Sequence, residues 1–436
     1  MVRLTSLPAK HFALVFLSLL VTAAGNTALH SVLPVVGRAI GIPDLGIALI
    51  FSLSALLWTV TAPFWARQSD RRGRKSLMQL GLAGFALSML LSAFVVLAGI
   101  TGAIGPLAVF GLFMLTRSLF GIFGAAANPA AQAYVASRTT EAERTPALSI
   151  LSSAFGLGTI LGPALAPFFI LPHVGLSGPM FAFAGIAAAV FAAVAAGLPS
   201  DAPEALGGRG AAAAMPDIGS PPTGASVIAA QAMSATGQRA RSSFRDPRVG
   251  PFLLFGFAVG SLQAATFQAI GFLIIDRMAF AGLPAAQLIG IALMAGAGAT
   301  LLAQWGIIPL LALTPRQLMR WGALLAALGT LGIALAPGFY QLVLAVSVAS
   351  IGYGFARPGF TAGASLAVSR AEQGAVAGAV TSVNGACFIL APALGIALYG
   401  LAPELPYWLG AAGLALLLAW TLANPTLART PAAARR

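Results

Sequence analysis

Residues 66–75 read Ala66-Arg67-Gln68-Ser69-Asp70-Arg71-Arg72-Gly73-Arg74-Lys75, a polar island between apolar runs over 46–66 and 76–100. A helix needs about 20 apolar residues to cross a bilayer, so the island reads as a short connection between two spanning helices. An acid closes the first helix, Gly73 permits a tight turn, and bases open the second. Asp70, Arg71, Gly73, Arg74 and Lys75 therefore form a candidate conformational latch, in which Asp70 pairs with Arg74 or sits at a neighbouring helix N-terminus. The same basic residues also serve as a positive-inside anchor.

Outward from this loop the chain repeats the pattern. Apolar runs predict helices over 12–37, 46–66, 76–100, 104–136, 147–171 and 177–198, then over 248–275, 283–313, 321–337, 338–369, 374–400 and 405–424. The fold expected is an all-α membrane protein of twelve transmembrane helices in two six-helix pseudo-repeats. Its domains are a bundle over 1–198, a flexible linker over 199–247 rich in Ala, Gly, Ser and Pro, and a second bundle over 248–436. The first run follows Arg3 and Lys10 and contains Thr22-Ala23-Ala24, which has the look of a cleavage site. It continues apolar through Val36, too long for a signal core.

Composition agrees. Hydrophobic residues make up 58% of the 436, against 24 Lys or Arg and 11 Asp or Glu, where a soluble domain carries roughly a quarter charged residues. A cytosolic enzyme, a disordered chain and a disulfide scaffold are excluded. With the N-terminus inside, the basic residues of the connections fall on the inner side except Arg38 and Arg277, which predicts cytoplasmic termini and a cytoplasmic linker. The net charge of +13 is thus assigned to membrane orientation and not to nucleic acid. Cys387 is the only cysteine, so neither an intrachain disulfide nor a paired-thiolate metal site is expected. No nucleotide loop or nucleophile–base constellation appears, and no cofactor, metal or catalytic residue is assigned.

The halves resemble each other. Lys75-x-Leu77-Met78-x-x-Gly81 is answered by Arg316-x-Leu318-Met319-x-x-Gly322, while Asn128-Pro129 and Gly162-Pro163-Ala164-Leu165 are answered, at one shared offset, by Arg357-Pro358 and Ala391-Pro392-Ala393-Leu394. A six-plus-six parallel repeat is the layout of a rocking-bundle transporter.

Asp70-Arg71-Arg72-Gly73-Arg74-Lys75, placed between the second and third helices, resembles the signature loop of the major facilitator superfamily, with Ala66 where the family has Gly and Leu311 at the acid's position in the second copy. Arg117 followed by Gly121 in the fourth helix is similar to the family's second motif. Gly158-Thr159-Ile160-Leu161-Gly162-Pro163 in the fifth is similar to the antiporter motif of the drug:proton antiporter branch, which includes tetracycline exporters. Physically, Gly158 and Gly162 offer a groove for close helix approach and Pro163 loosens the hydrogen-bond ladder.

Charged groups within spans are functional candidates by default. Here they are Arg117 and Arg357, while the acids lie in connections or, like Asp276, at a helix end; many proton-coupled exporters instead keep a carboxylate in helix 1 or 4. In helix 1 the polar residues are Asn26 and His30, one turn apart on one face. Substrate-cavity candidates are Asn26, His30, Arg117, Gln263, Gln268, Tyr353, Arg357 and Asn384, with Phe355 as a neighbour. Proton-coupling candidates are His30, Asp276 and Asp70. His30 leads, because an ordinary pKa of about 6.5 suits loading from a mildly acidic exterior.

The resemblance implies a monomeric, multi-pass protein of a bacterial-type inner membrane, exporting small organic compounds, drugs or metabolites, against protons by alternating access. The alternatives are a symporter or uniporter importing an organic anion, to which the two arginines lend weight, and a non-transporting sensor of the same fold.

Overall fold

The computed structural model describes residues 7–200, 246–278, 284–368 and 372–428. The predicted linker lies, over 201–245, outside the described residues. The chain divides into two compact units, Met1–Ser234 and Ala235–Arg436.

The first unit holds α1 (Ala9–Ile40), α2 (Asp44–Arg72), α3 (Arg74–Ile100), α4 (Pro106–Ser137), α5 (Glu141–Leu165) and α6 (Gly178–Gly197). The second holds α7 (Gly250–Met278), α8 (Ala285–Leu311), α9 (Pro315–Leu335), α10 (Phe339–Leu366), α11 (Gln373–Leu401) and α12 (Leu405–Ala423). Among the described residues eleven helices are long and apolar enough to span a bilayer, and α5 contributes a shorter apolar stretch over Ser153–Phe169. Its N-terminal turns carry Glu141, Glu143 and Arg144, so α5 begins before the predicted 147 and ends in a 3-10 turn, Ala166–Phe169. Likewise α9 starts at Pro315 and not at 321, because Thr314 and Gln317 form a capping box ahead of Pro at the first helical position.

Turn chemistry sets the connections. Gly41 ends α1 at φ 87°, donating its N–H to the Gly37 carbonyl. The signature loop shrinks to one residue, since α2 runs to Arg72, α3 starts at Arg74, and Gly73 between them sits at φ 90°. An L side chain rarely adopts that conformation.

Two spans are irregular at their prolines. In α4 a 3-10 turn, Gly124–Ala126, precedes Pro129, which has no N–H for the Ala125 carbonyl. Trp65 Nε1 donates to the Ile122 carbonyl at 2.6 Å and Thr61 Oγ1 at 3.2 Å, so a neighbouring span satisfies backbone beside the break. In α8 a π turn, Leu302–Ile307, precedes Pro309.

The helix pairings repeat. In the first unit α1 packs on α5, α3 on α4 and α6, and α2 on α4; in the second, α7 packs on α11, α9 on α10 and α12, and α8 on α10. The repeat reaches atomic detail at two seams. A Cβ on Gly81 would stand 2.7 Å from the Ala127 backbone nitrogen, and one on Gly322 would stand 2.7 Å from that of Ala356. These are the glycines of the repeated loop motif and the residues directly before Asn128-Pro129 and Arg357-Pro358. Small residues at both seams let backbones touch where lipid gives no hydrophobic drive. Outward positions are large and apolar, such as Leu107 and Leu416, as a hydrocarbon solvent requires.

Candidate functional site

The site grows from the middle of α1. Asn26 is buried, and Arg117 of α4, 1% exposed, donates from Nη2 to its Oδ1 at 2.6 Å. The Arg117 guanidinium carbon stands 4.6 Å from the Phe120 ring centroid, a cation–π contact, and Nε and Nη1 have no hydrogen-bond partner among the described residues. Ser54 of α2 donates to the Arg117 carbonyl at 3.3 Å, and Gly121 lets α4 approach that helix, since a Cβ there would stand 2.7 Å from the Ser54 carbonyl oxygen. The Arg-to-Gly spacing thus places the arginine one turn from a close α2–α4 approach at Gly121.

His30 lies one turn beyond Asn26. Its Nδ1 is 3.2 Å from the Asn26 carbonyl, and its ring stacks on Phe51 at 4.1 Å and 27°. A carbonyl only accepts, so in this hydrogen bond Nδ1 is the donor, and Nε2 is the ring nitrogen left to exchange a proton. Phe51 gave no signal in sequence beyond its apolar character.

The antiporter-motif glycines meet the same stretch of α1. A Cβ on Gly158 would stand 2.6 Å from the Ala23 Cβ and 2.9 Å from the Ala24 nitrogen; one on Gly162 would stand 2.1 Å from the Ala24 carbonyl oxygen and 2.3 Å from Thr27 Oγ1. Thr27 Oγ1 also donates to the Gly158 carbonyl at 3.2 Å, and Pro163 is buried. Asn26, His30, Arg117, Gly158 and Gly162 are therefore gathered on one segment of α1.

Other candidates stand apart. In the second unit Asp276 is exposed and accepts a hydrogen bond from the Tyr399 hydroxyl. Tyr353, 3% exposed, has its hydroxyl 3.3 Å from Thr330 Oγ1 and its ring 5.7 Å from Phe267, a helix-to-helix contact. Arg357, Gln263, Gln268 and Asn384 are half-buried. Phe355 is buried against Ala303 and Leu318. Of the latch, the side chains of Asp70 and Arg71 lie outside the described ones, and Arg74 is buried.

Two features escaped sequence reading. Lys75 Nζ donates to the Ala195 and Leu198 carbonyls at 2.7 and 2.6 Å, holding the end of α6, and Arg320 Nη2 donates to the Thr421 carbonyl of α12 at 3.1 Å. The signal available was a basic residue within the first two turns of the third helix of each half, facing a helix C-terminus with unpaired carbonyls. At the other helix ends, Arg38 pairs with Asp44 at 2.7 Å, and Arg277 pairs with Glu404 while donating to the Ala334 carbonyl at 3.1 Å. The two arginines that break the positive-inside pattern are each matched by a carboxylate. The Arg277 hydrogen bond holds the Glu404 carboxyl below its ordinary range, and the Arg248 side chain does the same for Asp246.

The family profile described as "Major Facilitator Superfamily" matches residues 15–314. Among curated proteins, the chain is 35% identical over 143 residues to "Multidrug resistance protein 2" of Bacillus subtilis (strain 168), covering 31% of this chain and 30% of that protein. It is 29% identical over 161 residues to "Multidrug resistance protein MdtG" of Proteus mirabilis (strain HI4320), covering 36% and 37%. The matched stretches thus span about a third of the length of these relatives. Among solved structures, the nucleoside transporter NupG superposes with a TM-score of 0.71 at 15% identity, over 95% of this chain and 98% of that one. The human organic anion transporter MFSD10 (TETRAN) gives 0.62 at 21% identity, over 94% and 99%.

Proposed function

The chain belongs to the major facilitator superfamily, and from that premise we propose that it is a proton-driven exporter of small organic compounds. It is a multi-pass membrane transporter, and it is similar to the two multidrug resistance proteins described above. The observation that carries the export reading is the meeting on one segment of α1 of the antiporter glycines and the Asn26–His30–Arg117 cluster.

In this reading His30 Nε2 takes up a proton from the exterior and gives it to the cytoplasm, while Asn26 fixes both the imidazole tautomer and the guanidinium. The six-helix halves, 1–198 and 248–436 joined by a cytoplasmic linker over 199–247, alternate access to a site to which Gln263, Gln268, Tyr353, Arg357 and Asn384 contribute. The loop at Asp70, Arg71, Gly73, Arg74 and Lys75 biases that equilibrium. The protein works as a monomer in a bacterial-type inner membrane with both termini inside. Flux in proteoliposomes under an imposed pH gradient tests the coupling. His30→Ala is expected to lose gradient dependence and keep ligand binding. Wild-type gradient dependence in that mutant moves the coupling site to Asp276 or Asp70.

A second reading rests on Arg117, a buried cation whose Nε and Nη1 are unpartnered among the described residues. An anion beside Arg117 is held more strongly when His30 is also charged, so anion and proton bind cooperatively and move together, which is symport. Binding that tightens for an acidic ligand as pH falls, with flux inward in right-side-out vesicles, selects this reading over export.

A further inference from the structure

The repeated loop is built differently in its two copies. In the first, Lys75 is engaged in holding the end of α6 through two carbonyls. In the second, the corresponding task, holding the end of α12, is done one turn later by Arg320, and Arg316, the counterpart of Lys75, is released from it.

Arg316 and Arg320 then stand one turn apart at the opening of α9, two like charges that repel, beside a helix N-terminus that is itself electropositive. Both Nε atoms are buried without a hydrogen-bond partner among the described residues. No carboxylate comes from the elements packed on α9. The sequence has no Asp or Glu from 284 to 368 or from 405 to 428, which covers α8, α9, α10 and α12, and Leu311 occupies the acid's place in this copy of the loop. The contrast within the unit is sharp, since Arg248 meets Asp246 and Glu372, and Arg277 meets Glu404. The surroundings are apolar and exposed: Leu310 is 83% exposed, Leu311 59% and Trp321 50%. Tryptophan beside arginine at a helix end is the composition of a membrane interface.

We propose that Arg316 and Arg320 bind the phosphodiester of an anionic phospholipid, with Leu310, Leu311 and Trp321 against its acyl chains. The lipid phosphate supplies a negative charge at the position where this copy of the loop has Leu311 in place of an acid. Phosphate matches guanidinium geometry, and each basic residue near such a surface strengthens binding about fivefold.

The test uses the full purified chain in neutral detergent, following thermal unfolding while titrating phosphatidylglycerol, phosphatidylcholine or inorganic phosphate. Phosphatidylglycerol is expected to raise the wild-type midpoint, and the other two are not. Arg316→Gln is expected to need about fivefold more phosphatidylglycerol for the same rise, whereas Arg316→Lys and the control Arg72→Gln, an exposed arginine of the other unit, keep most of the response. Equal stabilisation by inorganic phosphate overturns the lipid assignment. An unchanged response in Arg316→Gln, or an equal loss in Arg72→Gln, overturns the site.

Discussion

Gly162 and Ala24 meet backbone to backbone, with no room for a methyl group: a Cβ on the glycine would stand 2.1 Å from the Ala24 carbonyl oxygen. Nothing flexible can yield there, so Gly162→Ala must push α5 away from α1. We expect a loss of about 1–3 kcal/mol, as for other overpacked sites, read as a lower unfolding midpoint. A neutral result would mean that the two helices separate freely.

Asn26 compensates a buried cation. Asn26→Leu removes the Arg117 acceptor and is expected to cost about 1.5–3 kcal/mol, the range for a hydrogen bond to a charged group. Asn26→Leu combined with Arg117→Leu should recover much of that loss, because the stranded charge is gone. Additive losses in the double variant would show that Asn26 acts by packing alone.

The clamps of α6 and α12 predict local effects. Lys75→Met frees the Ala195 and Leu198 carbonyls, and Arg320→Met frees that of Thr421. Amide exchange should quicken about five- to tenfold in the last turn of α6 for the first and of α12 for the second, each without change in the other helix. Exchange that rises in both helices together would rule out separate clamps.

Glu404 gives a pH signature. Its carboxyl titrates below the ordinary 4.5 in the folded protein because Arg277 hydrogen-bonds the charged form. A depressed value stabilises the fold above the unfolded pKa, and that contribution drains away as pH falls through 4.5 towards the folded value. The midpoint difference between wild type and Glu404→Gln should therefore be full at pH 7 and shrink steadily on acidification below 4.5. A gap that widens in acid contradicts the assignment.

The spans were legible because lipid leaves little choice. Uninterrupted apolar length located the eleven helices long enough to span and the shorter apolar stretch of α5, and the loop motif with its answering copy at Arg316–Gly322 pointed to the repeat. Helix ends were less legible where polar residues extend a helix beyond the apolar run, as in α5 before 147 and α9 before 321. The break in α4 and the π turn in α8 depend on what neighbours offer the backbone, such as the Trp65 indole, and composition does not reveal that. Asn26 and His30 were found from their spacing on one face. The Asn26 contact to Arg117 was not, because it joins residues 91 apart. The 3.3 Å contact of the Tyr353 hydroxyl with Thr330 Oγ1 was not legible either, because it joins two different helices.

The two outward arginines differ in when their partners are made. With termini inside, as we propose, Arg38 and Arg277 both cross the bilayer during biogenesis. Arg38 has Asp44 six residues behind it and can cross as a nearly neutral pair. Arg277 waits for Glu404, 127 residues later, which at about 5–20 residues per second of synthesis is roughly 6–25 s. For that interval the Arg277 side chain at the end of α7 lacks the carboxylate that pairs with it in the folded protein.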